Sequence, residues 1–191
     1  NVVADLDMLT ASGLAERLQS LHRNGRTEII GICGGFQMLG RRIADPHGIE
    51  STGKTVPGLG LLPFATVLAP EKLLARTSAT PLASGLTVRG YEIHHGRTED
   101  GEALPLIKKA TGEAVGAGTE DGRVWGTYLH GIFDNDAFRR WFLDRLRTKR
   151  GLAPLGTSHA SYDLEPAFDR LAQTVRESID IDLIYRAMGI R

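Results

Sequence analysis

The sequence predicts an α/β fold with an antiparallel extension, on three observations. Segments of helical and strand period alternate early in the chain, extended segments cluster in its middle, and an apolar stripe at helical spacing runs through its C-terminal part. Taken in order, Leu14, Leu18 and Leu21 predict a helix over 12–24, with Ser12 as its cap and Gly25 as its stop. The Ile-rich segment 28–32 reads as a short strand and 34–42 as a helix. Residues 45–62 are rich in Gly and Pro and read as a long loop. Strands are expected near 64–68, 87–95, 114–119 and 124–129. A helix over 135–149 turns Phe138, Trp141, Phe142 and Leu146 inward. One long helix over 164–188, ended by Gly189, carries Leu164, Phe168, Leu171, Val175, Ile179 and Leu183 on one side.

Composition narrows the function classes. The 191 residues suit one domain, and 23 Lys+Arg balance 23 Asp+Glu, so no charge surplus points to nucleic acid or an anionic membrane. The longest apolar stretch, 56–70, is interrupted by Pro57, Pro63 and Pro70 and is too short to span a bilayer. One cysteine allows no intramolecular disulfide and no Cys-rich zinc site, which points to the cytoplasm. The 23 glycines are about twice the ~7% average and imply many tight turns and close backbone approaches. The chain opens at Asn1-Val2-Val3, which reads as the middle of a domain, so an incomplete N-terminus is expected.

The strongest local signal is the apolar segment ending at Cys33, followed by Gly34 and Gly35 and then a helix. This is the pattern of a nucleophile elbow with Cys in place of Ser. The sharp turn lifts the thiol off the strand end, and its small neighbours Gly31, Gly34 and Gly35 make room. N–H groups at the helix start can lower the thiol pKa and hold an oxyanion. The bland alternative is a small buried hydrophobe, and the Gly-Gly turn weighs against it. A Cys nucleophile needs a base. His22 falls in the first expected helix, facing solvent; His47 and His159 fall in loops without special context. His94 and His95 are strand neighbours that point to opposite faces and cannot readily share a metal, so no metal site is expected. His130 ends an apolar strand just before Gly131, the place where α/β enzymes carry catalytic groups, and is the favoured base.

A second pattern is set aside. Residues 48–55 fit G-x-x-x-x-G-K-T, the phosphate-binding loop. That loop needs a strand before it and a helix after it; here Asp45-Pro46-His47 precede and Val56-Pro57-Gly58 follow.

The run Cys33-Gly34-Gly35-Phe36-Gln37 resembles the nucleophile segment of class I glutamine amidotransferases. Together, GICGGFQMLG (31–40), GYEIHHGRT (90–98) and GTYLHGIFDND (126–136) resemble the cobyric acid synthase family, as do IADPHGIE, GLGLLPFAT and the C-terminal FDRLAQTVRESIDIDLIYRAMG. The resemblance implies a flavodoxin-like α/β amidotransferase domain over 1–191, with a mixed sheet and a C-terminal helical extension over 151–191. It implies Cys33 as nucleophile, His130 as base, and Gly34, Gly35, Gln37, Tyr91, Glu92 and His94 around the oxyanion and substrate. Lys72 or Arg76 are candidates for the α-carboxylate of glutamine, against the reading of ordinary surface charges. The implied partners are L-glutamine, an ATP- and magnesium-dependent synthetase domain earlier in the parent chain, and a corrinoid acceptor. No cofactor is expected on this domain itself. The Glu that most class I enzymes carry two residues after the His is Ile132 here, so Asp134, Glu92 or a backbone carbonyl are candidates to orient His130. Competing readings are the glutaminase subunit of a ligase that amidates a cell-wall lipid precursor, and a non-catalytic interaction domain.

Overall fold

A computed structural model describes residues 1–99, 101–158 and 160–190. His159 lies outside the described residues. The chain forms two compact units, Asn1–Gly156 and Thr157–Arg191.

The first unit opens with α1 (Val2–Ala11) and α2 (Leu14–Asn24). The first of these is absent from the sequence expectation: only Val3 and Leu6 are buried on it, too few to show a period. Gly13, not Ser12, occupies the N-cap of α2, and Gly25 closes it as expected. Then follow β1 (Ile29–Ile32), α3 (Gly34–Leu39), β2 (Arg42–Ala44) and β3 (Thr55–Pro57). The helix after Cys33 is therefore shorter than 34–42, because Arg42 already pairs with Ala65. The strand expected at 64–68 runs on as β4 (Ala65–Pro81), bulged between Leu68 and Leu73, opposite β5 (Val88–Glu99). β6 (Leu104–Lys109), β7 (Ala114–Gly118), β8 (Val124–Thr127), a 3-10 turn (Ile132–Asp134) and α4 (Asp136–Lys149) complete the unit.

Among the described residues, eight strands form one mixed sheet in the order β1-β8-β7-β6-β4-β2-β3, with β5 on β4. β1 runs parallel to β8 and β2 parallel to β4; the other pairings are antiparallel. Alternate residues of β1 and β8 feed two cores. Ile29 and Val124 pack with Phe36, Leu39 and Phe64 of the first, while Trp125 joins Phe138 and Phe142 of α4 in the second. Glu28, just before β1, accepts from Trp125 Nε1 at 2.8 Å and pairs with Arg145 and Lys149 of α4. The strand that carries the nucleophile elbow is thus clamped on both faces.

The second unit holds α5 (Glu165–Ser178) and α6 (Ile181–Ala187) in place of one long helix. Ile179 and Asp180 are extended, and the Asp180 side chain accepts from Leu183 N–H at 2.9 Å, so Asp180 starts a new helix. Leu164, Phe168, Leu171 and Val175 of the expected stripe are exposed. Among the described residues no helix is long and apolar enough to cross a membrane.

Candidate active site

The site is built where β1 and β8 end side by side. Cys33 N–H continues the parallel ladder, donating to Thr127 O at 2.8 Å. The chain then turns sharply: Cys33 has φ 51° and ψ −110°, the one positive φ outside glycine among the described residues. Such a conformation costs on the order of 1–3 kcal/mol and persists only where the surroundings over-determine it. Gly31 is part of that constraint, since a Cβ there would lie 2.5 Å from Gly35 O. Only a glycine lets α3 fold back this closely over β1. The half-buried thiol donates to Ile93 O of β5 at 3.6 Å. Burial pushes the thiol pKa up; the Gly34 N–H pulls it down, the Glu50 carboxylate adds to the rise, and Lys72 opposes it.

His130 lies three residues past the end of β8. It forms an antiparallel bridge with Tyr91: His130 N–H donates to Tyr91 O at 2.8 Å and Tyr91 N–H to His130 O at 3.2 Å. The approach needs Gly90, where a Cβ would sit 1.9 Å from His130 O. The Tyr91 ring lies parallel to the imidazole, centroids 4.9 Å apart. Nε2 of His130 is buried without a hydrogen-bond partner, and burial, helped by His94, holds the imidazole pKa below its ordinary value. Among the described residues neither Asp134 nor Glu92 hydrogen-bonds this ring. Glu92 instead accepts from Thr77 Oγ1 at 2.6 Å and pairs with Lys109 at 2.9 Å. Asn135 locks the turn after His130: its Oδ1 accepts from Arg89 N–H and its Nδ2 donates to Arg89 O and Gly131 O, each at 2.9 Å.

The other expected residues are distributed around this pair. Gln37 is buried behind the elbow, with Oε1 unpartnered and its amide end against Gly96. His94 stacks on Tyr128, whose hydroxyl meets Thr98 Oγ1 at 2.9 Å. His94 and His95 do take separate partners, the carbonyls of Gly96 and Ala69, yet both border one cavity of about 720 Å³ beside the bulge of β4. No group of three or more His, Cys, Asp or Glu that could hold a metal occurs among the described residues. Lys72 and Arg76 are exposed on β4, and of the two Lys72 acts on Cys33. His22 lies in the second helix, half-buried rather than solvated, and His47 is exposed in a loop.

Residues 45–55 give the physical reason why the phosphate-loop pattern is inert here. The buried Asp45 carboxylate accepts from the N–H groups of Ile49, Glu50 and Ser51 at 2.7–2.9 Å and from Ser51 Oγ at 2.8 Å. The backbone donors a phosphate would need already hold a carboxylate. A strand does precede the loop, contrary to expectation, but β3 and not a helix follows it. The same loop delivers a residue that sequence reasoning missed. Glu50 Oε2 accepts from Val2 N–H at 2.6 Å and Val3 N–H at 3.4 Å, and its charge is felt at Cys33. Asn135 was equally hidden. Both act through contacts with residues more than forty positions away, and no local pattern carries such a signal.

The chain thus carries an elbow cysteine after β1 and a histidine just beyond β8 on one mixed α/β sheet. The family model of the CobB/CobQ-like glutamine amidotransferase domain matches residues 1–138, and the chain belongs to that family. It is 46% identical over its full length to the adenosylcobalamin biosynthesis bifunctional protein CobDQ of Leptospira interrogans, covering 22% of that protein. It is 43% identical to the cobyric acid synthase of Nitratidesulfovibrio vulgaris, again over the whole chain and 42% of the relative. The chain thus spans less than half the length of these curated relatives. A crystal structure of a glutamine amidotransferase shares the fold, with a TM-score of 0.57, 14% identity, and coverage of 78% of this chain and 75% of that one.

Proposed function

We propose that this chain hydrolyses L-glutamine at Cys33 and supplies the ammonia to an ATP- and magnesium-dependent synthetase that amidates carboxylates of a corrinoid. The observation that carries the reading is the strained Cys33 elbow bridged, through β5, to a half-buried His130 whose Nε2 has no hydrogen-bond partner. The corrinoid acceptor follows from the relatives, which are named for cobyric acid synthase and adenosylcobalamin biosynthesis. No residue of this chain is assigned to ATP or magnesium.

The chemistry starts from a thiol, because burial and Glu50 keep Cys33 protonated at neutral pH. Its proton must leave Ile93 O and pass to His130, whose lowered pKa keeps it a free base. The sulfur then bonds to the side-chain amide carbon of glutamine. The carbonyl π electrons move to oxygen, and N–H groups of Gly34 and Gly35 hold the oxyanion. As the C–N bond breaks, His130 returns the proton to the leaving nitrogen and ammonia departs. Water, deprotonated by His130, attacks the γ-glutamyl thioester; glutamate leaves and the thiol is regenerated. Gln37, Tyr91, Glu92 and His94 shape the surroundings of this pair, and Lys72 offers a cation for the glutamine carboxylate.

A diazoketone analogue of glutamine tests the reading. Peptide mass spectrometry should find one adduct, on Cys33, suppressed by excess glutamine and lost in His130→Ala. No adduct on the folded protein would overturn it.

A further inference from the structure

Asn135 sits where a helix cap belongs and does something else. It is the residue before α4, and an asparagine there ordinarily accepts from an N–H of the first helical turn. Its side chain makes no such bond. The amide turns instead toward β5: Oδ1 accepts from Arg89 N–H at 2.9 Å, and Nδ2 donates to Arg89 O at 2.9 Å. Nδ2 also reaches Gly131 O at 2.9 Å and Ile132 O at 3.2 Å.

The register of the chain gives these bonds a purpose. Tyr91 and His130 exchange both backbone hydrogen bonds, which makes them a hydrogen-bonded pair of an antiparallel ladder. The next such pair would join Arg89, two residues before Tyr91, to Ile132, two residues after His130. That pair is not made, because Gly131 turns the chain with φ 75° and Ile132 enters the 3-10 turn. The Asn135 amide carries an acceptor and a donor, as a peptide does. It takes the place of the Ile132 peptide and satisfies both backbone groups of Arg89. The ladder is thus completed beyond His130 by a side chain. Nε2 of His130 has no hydrogen-bond partner, and the imidazole lies against the Tyr91 ring, 4.9 Å between centroids and 4° from parallel. Both rings project from the backbone pair next to the Asn135 clamp.

We propose that Asn135 is the positioning residue of His130: its side-chain amide replaces a missing peptide of the β5 ladder and fixes where the imidazole stands through the backbone, not through a ring nitrogen. The inference rests on His130 being the base for glutamine hydrolysis. The clamp brings no charge to the ring, so it sets the place of the ring and not its proton affinity.

Asn135→Ser and Asn135→Asp in the whole chain test this. Serine and aspartate cap helices as well as asparagine does, so a capping role predicts wild-type behaviour for both. A clamp predicts that both fail, because aspartate cannot donate to Arg89 O and serine lacks the second polar atom. The first readout is the NMR signals of the His130 ring protons, which the parallel Tyr91 ring displaces. In both variants they should move toward the values of a free histidine, while the signals of His22 and His47 stay in place. The second is glutamine hydrolysis, where kcat should fall roughly 10²-fold with KM unchanged within a factor of about two. Wild-type ring signals or an unchanged kcat in either variant, even with a lower melting temperature, would overturn the proposal. If the wild-type chain itself releases no glutamate, the glutaminase reading falls, and the ring signals still decide whether Asn135 sets the place of His130.

Discussion

Two glycine-bearing turns follow strands in this chain, one after β1 at Cys33 and one after β2 at residues 45–55, and they differ in what their backbone donors do. At the first, the Gly34 N–H points at the Cys33 sulfur and the backbone is held in a strained conformation. At the second, three backbone N–H groups and a hydroxyl converge on Asp45, and the loop satisfies itself. Both match functional patterns in sequence. Only the second has its backbone donors taken up by a carboxylate of its own loop. A phosphate-loop pattern loses its chemistry when a residue outside the pattern, here Asp45, takes up its donors.

The comparison can be broken at either turn. The largest effect is expected from Cys33→Ala, which should lower glutamine hydrolysis by about 10⁴-fold or more, measured as glutamate release. Gly31→Ala should come next. Its Cβ would meet Gly35 O at 2.5 Å, so the elbow must open, with a loss of roughly 10²-fold in kcat and a lower melting temperature. Asp45→Ala should leave three N–H groups without their acceptor and cost about 3 kcal/mol in urea unfolding. The pH dependence has a definite sign. The Asp45 carboxyl is held below its ordinary value by these hydrogen bonds, despite burial. Its contribution is complete above the unfolded pKa, near ~4, and is lost as the pH falls through the lower native value. Asp45→Asn should therefore flatten the decline of stability below about pH 4. The smallest effect links the two turns. Glu50→Gln removes a negative charge felt at Cys33, so the thiol should become more acidic and its alkylation at pH 7 faster by roughly threefold.

The parts of the fold that were legible in the sequence are those fixed by neighbours. The apolar run into Cys33-Gly34-Gly35 announced strand, turn and helix because each residue acts on the next. His130 was marked by the strand end and Gly131. The continuation of β4 through Glu71 and Lys72 was hidden, since a bulge interrupts its alternation and charged side chains face solvent there. The break between α5 and α6 was hidden as well, because the stripe continues through Ile179 while the backbone does not. In the site, Glu50 and Asn135 depend on long-range pairing, and the orientation of Glu92 toward Thr77 and Lys109 depends on the register of β4, β5 and β6. The missing triad carboxylate could be seen at Ile132.

The most direct measurement is the formation of γ-glutamyl hydroxamate from L-glutamine and hydroxylamine, which intercepts the thioester before water does. The wild-type chain should form it and Cys33→Ala should not. Equal formation by both proteins, or none by the wild type, would contradict a glutaminase built on the Cys33 elbow.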